Sequence, residues 1–302
     1  MKTRKYTVAC LALVLATLAS LSCRKGDPIP ETSIITVESQ VQNDFDRWLA
    51  SNFTNPYNIQ FKYRYENNET DLNYYSVPTD YQSCIKMAHL VKYLCLDTYD
   101  EVAGPQFTRK YFPKQFFLMG EWQYKNNGSF TLGTAEGGKK IILMGINYLE
   151  RYSKTADDLN HYYLKTIHHE FTHILNQTKD FPVTFSQVSG GTENGYVTDD
   201  CFSSTYVDFL QRGFISAYAQ SEDREDFAET MALYVTNPQE WWDEQVAEAG
   251  ESGVLINKKL DIVKDYMEDT FGISLDLLRD VVLRRQDEVM AGLVDLYNIE
   301  IE

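Results

Sequence analysis

The run His169-Glu170-Phe171-Thr172-His173 constrains this chain more than any other stretch of it. Two histidines one helical turn apart stack on one helix face, close enough to hold a single ion. Neutral imidazole nitrogen suits zinc, and three protein ligands leave a fourth position for water. Zinc lowers the pKa of such a water to roughly 7, and Glu170 is placed to take its proton as general base. All of this requires a helix. Leu164, Ile167, Phe171, Ile174 and Leu175 form an apolar stripe at helical spacing, with His169 and His173 on the opposite face. The spacing predicts a helix from about Thr155 to Gln177, its back on a core and its front carrying metal ligands. The alternative is a solvated histidine pair on a surface helix.

A third ligand has to come from elsewhere. Asn176 and Lys179 stand where an HExxHxxGxxH pattern needs glycine and histidine, which excludes that arrangement. A glutamate on a later helix is the other common solution. Residues 221–235 read SEDREDFAETMALYV. Ser221 is the expected N-cap, with Glu222 and Asp223 in the first turn, where negative charge suits the helix dipole. Arg224, Phe227, Ala228, Met231, Tyr234 and Val235 are expected to share the core face, with Glu225 and Glu229 together on another side. Such a pair offers a ligand in Glu225 and an acceptor for a ligand imidazole N–H in Glu229. On spacing alone, Glu222 and Glu229 compete with Glu225 for the ligand role.

HEFTH followed by SAYAQSEDREDFAE resembles the gluzincin peptidases related to anthrax lethal factor and the Pro-Pro endopeptidases. The layout, with GFISAYA before EDFAE, is also similar to a family of bacterial lipoproteins described as "putative zinc-binding metallo-peptidases". The clear resemblance runs from about Ser129 to Val235. It implies a zincin-like fold and Zn2+ held by His169, His173 and Glu225. It also implies that Tyr218 hydrogen-bonds the tetrahedral intermediate, and that Gly133, Thr134 and Ala135 match the active-site edge strand of that group. The chemistry suits Tyr218, since a phenol can donate to a developing oxyanion; the alternative is one of 21 tyrosines that merely packs. An edge strand holds an extended peptide by main-chain hydrogen bonds. Gln115–Tyr124, Ser129–Glu136 and Lys140–Ile146 read as strands, the last two joined through Gly137 and Gly138.

Both ends add context. Lys2, Arg4 and Lys5 precede an apolar run from Val8 to Leu21, the pattern of an export signal over residues 1–22. The run is short for a membrane span. Cys23 looks like the lipid-bearing cysteine of a lipoprotein, although Ser20 stands where leucine is usual; a simple secretory signal is the alternative. The expectation is an exported bacterial lipoprotein at the outer membrane or cell surface, or facing the periplasm, held through residues 23–37 as a tether. Residues 38–302 then form one zincin-like domain: N-terminal helices and sheet (38–150), zinc helices (151–236) and C-terminal helices (237–302). The fold class is α+β, helix-dominated, with a small mixed sheet over the metal cleft.

A net charge of −16 lacks the basic footprint that nucleic acid requires; a peptide or protein is the expected partner. A helix is expected over Thr79–Asp97, opened by a Thr79–Gln82 capping box. Its apolar stripe holds Cys84 and Cys95, roughly 16 Å apart along the axis, too far for a bridge. That leaves at most one disulfide, involving Cys201. His89 is read as polar-face, His161 as off the metal face and His168 as pointing away from the ion. Later helices are expected with Asn237 as cap and Pro238 first, and from about Val254 and Ser274. Two functions remain in view. One is an exported zinc metalloendopeptidase. The other is a cell-surface lipoprotein that keeps zinc for stability and captures peptides, glycopeptides or glycans. Glu170 favours the first, because a structural zinc site needs no base.

Overall fold

The computed structural model describes residues 41–66, 70, 73–124, 130–136, 139–190 and 195–301. The export signal, Cys23 and the tether lie outside the described residues, as do Gly137, Gly138 and residues 191–194. From Gln42 onward the chain is one compact unit. Its helices are α1 (Asp44–Leu49), α2 (Tyr81–Val91), α3 (Asp97–Ala103), α4 (Pro105–Tyr111), α5 (Lys165–Thr178), α6 (Val183–Gly190), α7 (Asp223–Thr236), α8 (Gln239–Glu248), α9 (Gly253–Phe271) and α10 (Leu275–Met290). Short turns of helix accompany them. The fold is α+β and helix-dominated, with a small mixed sheet.

Four strands make the main sheet: β1 (Gln60–Lys62), β2 (Gln115–Leu118), β5 (Gly133–Glu136) and β6 (Lys140–Leu143), in the order β1-β2-β6-β5. β1, β2 and β6 run parallel, whereas β5 is antiparallel to β6 and forms an edge. β3 (Gln123–Tyr124) and β4 (Phe130–Thr131) form a separate antiparallel pair. The single strand expected over Gln115–Tyr124 therefore breaks after Leu118. At Gly120 the backbone docks on the segment before α2, donating its N–H to Val77 O. A Cβ there would meet Pro78 O at 2.4 Å, so only glycine allows the turn.

The apolar stripes fold as the spacing predicts. Leu164, Ile167, Phe171, Ile174 and Leu175 are all buried, as are Cys84, Met87, Ala88, Val91, Leu94 and Cys95. The helix that bears both histidines begins where the spacing placed it, near Thr155. Thr155 Oγ1 accepts from Asp158 N, and helix continues from Ala156 through a wider turn at Asn160–Leu164 into α5. Cys84, Cys95 and Cys201 are buried, and no disulfide joins them among the described residues.

Three helix starts differ from expectation, each because the cap residue has a partner elsewhere. Asp80, not Thr79, caps α2 and accepts from Ser83 N, while the Thr79 hydroxyl donates to Tyr63 O. Ser221 donates to Tyr218 O, so Glu222 takes the cap position of α7. Asn237 turns back to donate to Leu233 O, and α8 starts one residue after Pro238. His89 is half-buried against Trp48, ring centroids 4.2 Å apart, rather than on a solvated face; that burial lowers its pKa to about 4.

Candidate metal centre

α5 and α7 cross so that the histidine face of one meets the glutamate face of the other. His169 Nε2 lies 2.9 Å from Glu225 Oε2 and 3.1 Å from His173 Nε2, and His173 Nε2 lies 3.3 Å from the same carboxylate oxygen. Atoms bound at about 2.1 Å to a tetrahedral ion stand about 3.4 Å apart. These three need to spread by only a few tenths of an ångström to fit zinc. They are also the one group of three or more His, Cys, Asp or Glu side chains among the described residues arranged to hold a metal.

The surroundings fix which nitrogen faces the centre. His169 Nδ1 lies 2.9 Å from Glu229 Oε1, so that carboxylate favours a proton on Nδ1 and leaves Nε2 toward the centre. His169 Nε2, His173 Nε2 and a carboxylate oxygen face one another, an arrangement that gains from a cation or a proton between them. Burial works against charge on His169, but Glu225 and Glu229 outweigh it and raise the ring's pKa to about 9. Burial would likewise raise the Glu225 carboxyl, yet the two histidines bring it down to about 2.

Glu229 is itself held. Lys165 Nζ lies 2.7 Å from Oε1 and donates to Oε2 at 2.9 Å, and Ser216 Oγ donates to Oε2 at 2.6 Å. Against the penalty of burial, Lys165 and then His169 keep this carboxyl well below the usual range. Ser216 Oγ also accepts from Ala219 N, which ties Glu229 to the turn carrying Tyr218. Sequence reading missed Lys165 and Ser216. Lys165 left a signal, because positions 165, 169 and 173 share one helix face. Ser216 left none.

Tyr218 faces the centre. Its ring lies against His169, with centroids 5.8 Å apart. Burial, then the charges of Glu225, Glu170 and Glu229, raise its pKa, so the phenol keeps its proton. Its turn (Tyr218–Gln220) is anchored by buried Gln220, whose amide donates to Cys201 O and Tyr206 O and accepts from Arg212 Nε. Glu170 lines two adjoining cavities at the metal group.

Gly133 and Thr134 of edge strand β5 line the same cleft, and Ala135 continues the strand opposite Ile141. The small size of Gly133 serves the helix: a Cβ would meet Thr166 Cγ2 and Ile142 O, each at 2.7 Å. Strand and metal helix are thus in direct contact. Arg224 is not on the core face as expected; it is exposed and lines the cleft together with Glu222. His161 is exposed, and His168 is buried behind the helix with Nδ1 3.0 Å from the Tyr99 hydroxyl; burial lowers its pKa to about 4.

A helix-dominated α+β fold with two histidines and a glutamate converging in a cleft defines the class of zinc-binding metallopeptidases. Residues 38–276 match the family described as "Putative zinc-binding metallo-peptidase", and the chain belongs to that family. The match reaches far beyond the Ser129–Val235 stretch that carries the motifs. A crystal structure of a "putative zinc-binding metallo-peptidase" from Bacteroides caccae is similar over 89% of this chain and 100% of that one, with 40% sequence identity and a TM-score of 0.73. No curated protein matches the chain.

Proposed function

We propose that this protein is an exported zinc metalloendopeptidase of the gluzincin type, anchored through Cys23. The observation that carries the reading is the convergence of His169 Nε2, His173 Nε2 and Glu225 Oε2 within 3.3 Å, on the wall of a cleft that Glu170 and Tyr218 also line. When bound, zinc supplies a Lewis acid that makes hydroxide available near neutral pH and polarises a peptide carbonyl. Glu170 takes the proton of the attacking water and delivers it to the leaving amine. The Tyr218 phenol donates to the oxyanion as it develops. Glu229 orients His169, with Lys165 and Ser216 holding Glu229. Edge strand β5 pairs with the substrate backbone and sets the scissile bond across the metal group. The signal over residues 1–22, the tether over 23–37 and a surface or periplasmic location rest on the sequence pattern alone.

Incubation of zinc-loaded protein with a peptide library, with and without chelator, tests this. Chelator-sensitive cleavage is expected. Glu170→Gln should keep one zinc per chain and lose turnover by about 10²–10⁴-fold. Zinc retention with no cleavage by the wild-type protein would instead support a zinc-stabilised binding lipoprotein.

A further inference from the structure

Asn176 and Arg224 line the metal cleft, and neither side chain has a hydrogen-bond partner among the described residues. Asn176 lies three residues beyond His173 on α5 and is only 8% exposed. Both its carboxamide nitrogen and its carboxamide oxygen are buried and unpaired. Folded proteins rarely leave a buried amide in that state, and each case calls for a reason. Arg224, the residue before Glu225, is exposed in the same cleft. Among the described residues it is the one arginine with no hydrogen bond, ion pair or ring contact; every other has at least one. That is unusual in a chain with 44 acidic residues against 28 basic ones. Asp180 and Glu222 also line the cleft, but both are exposed and neither pairs with Arg224. Solvated acids of that kind weigh less than a charge met in direct contact. The N-terminus of α7 opens onto the same wall, Glu222 giving it no side-chain cap, and its positive pole favours an anion.

We propose that Arg224 and Asn176 form a carboxylate-recognition site, so that the preferred substrates carry Asp, Glu or a free C-terminus at one fixed place near the scissile bond. The guanidinium fork matches the two oxygens of a carboxylate. The Asn176 carboxamide then has a carboxylate oxygen to donate to and the main-chain N–H of the same residue to accept from. The proposal rests on the peptidase reading above, and its test separates the two. Zinc-loaded protein is given a randomised peptide library, and the cut sites are read by mass spectrometry. A carboxylate at one fixed position should be favoured over Ala, Gln or Lys by on the order of 10–100-fold. Amidating the peptide C-terminus separates the sources: the preference survives if a side chain supplies the carboxylate and disappears if the terminus does. Cleavage indifferent to a carboxylate, or favouring Lys or Arg there, overturns the site and leaves the peptidase standing.

If no peptide is cut, the peptidase reading falls and binding decides the site. Calorimetry on the Glu170→Gln protein then compares a Glu peptide with a free end against its Gln counterpart with an amidated end. The first should bind about tenfold tighter, and equal affinities overturn the site. Arg224→Gln changes an exposed side chain. It should lower kcat/KM by about tenfold for a carboxylate peptide and leave the neutral counterpart within about twofold. Equal losses on both peptides would remove Arg224 from the site. Asn176→Ala should show the same selective loss with zinc content and unfolding midpoint unchanged, because neither lost atom has an internal partner. A lowered midpoint with no selective loss would make Asn176 structural.

Discussion

Glu225 and Asp226 are neighbours in sequence and belong to opposite kinds of site. Glu225 looks into the cleft, where its partners are two imidazoles. Asp226 looks the other way, into the packing against α9. Its Oδ2 lies 2.6 Å from Lys259 Nζ and accepts from the Tyr196 hydroxyl at 3.0 Å. Lys259 also donates to Gly213 O and sits 3.9 Å above the Phe214 ring. Asp226 is 0% exposed and Lys259 1%. At Asp226 the protein supplies its own cation, and the site is closed. At Glu225 the protein supplies lone pairs and leaves the positive charge to come from outside. The contrast separates a clamp from a ligand site on one helix. It also explains what the C-terminal helices contribute, since α9 holds α7, and so the third ligand, in place.

The largest expected effect breaks the clamp. Lys259→Met strands a buried carboxylate and should cost about 3–5 kcal/mol in denaturant unfolding. Because the clamp also positions Glu225, zinc affinity should fall as well; an unchanged zinc affinity would mean that the two sites are independent. Next comes Tyr218→Phe on the open side. It should lower kcat by about 10²–10³-fold while zinc content and unfolding midpoint stay put, and unchanged kcat would demote Tyr218 to packing. Smaller still are the residues behind the ligand. Glu229→Gln or Lys165→Met should weaken zinc by about 10–100-fold in competition with a chromophoric chelator.

Smallest per step is the effect of one unit of pH. With His169 raised to about 9 from 6.5, the ring of the metal-free protein carries, below pH 9, a proton that zinc must displace. Affinity should therefore fall, by no more than about tenfold per pH unit from this group, as pH drops below 9. The same shift acts oppositely on the metal-free fold. Its contribution to stability is complete below pH 6.5 and is lost as pH rises through 9. A zinc affinity that is flat between pH 6.5 and 9 would deny that this proton and the metal share one place.

Much of this was legible in the sequence because it depended on periodicity. The stripes of α2 and α5 and the helices starting near Val254 and Ser274 required only spacing. The caps did not follow local rules, since Thr79, Ser221 and Asn237 each spend their polar group on another partner. β1 is three residues long and exists through its parallel pairing with β2, which no local pattern announces. Within the metal centre, His169, His173 and Glu225 were readable from motif spacing and resemblance. Ser216 was not, because its role depends on where a loop between two helices passes Glu229. Arg224 was assigned to the core by helical phase, yet the first turn of α7 opens onto the cleft.

The most direct test is a crystal of zinc-loaded protein with anomalous data collected at the zinc edge. A single peak is expected, about 2.0–2.2 Å from His169 Nε2, His173 Nε2 and a Glu225 oxygen. A zinc peak elsewhere, or a Glu225 side chain turned out of bonding reach with no other acid in its place, would contradict the account.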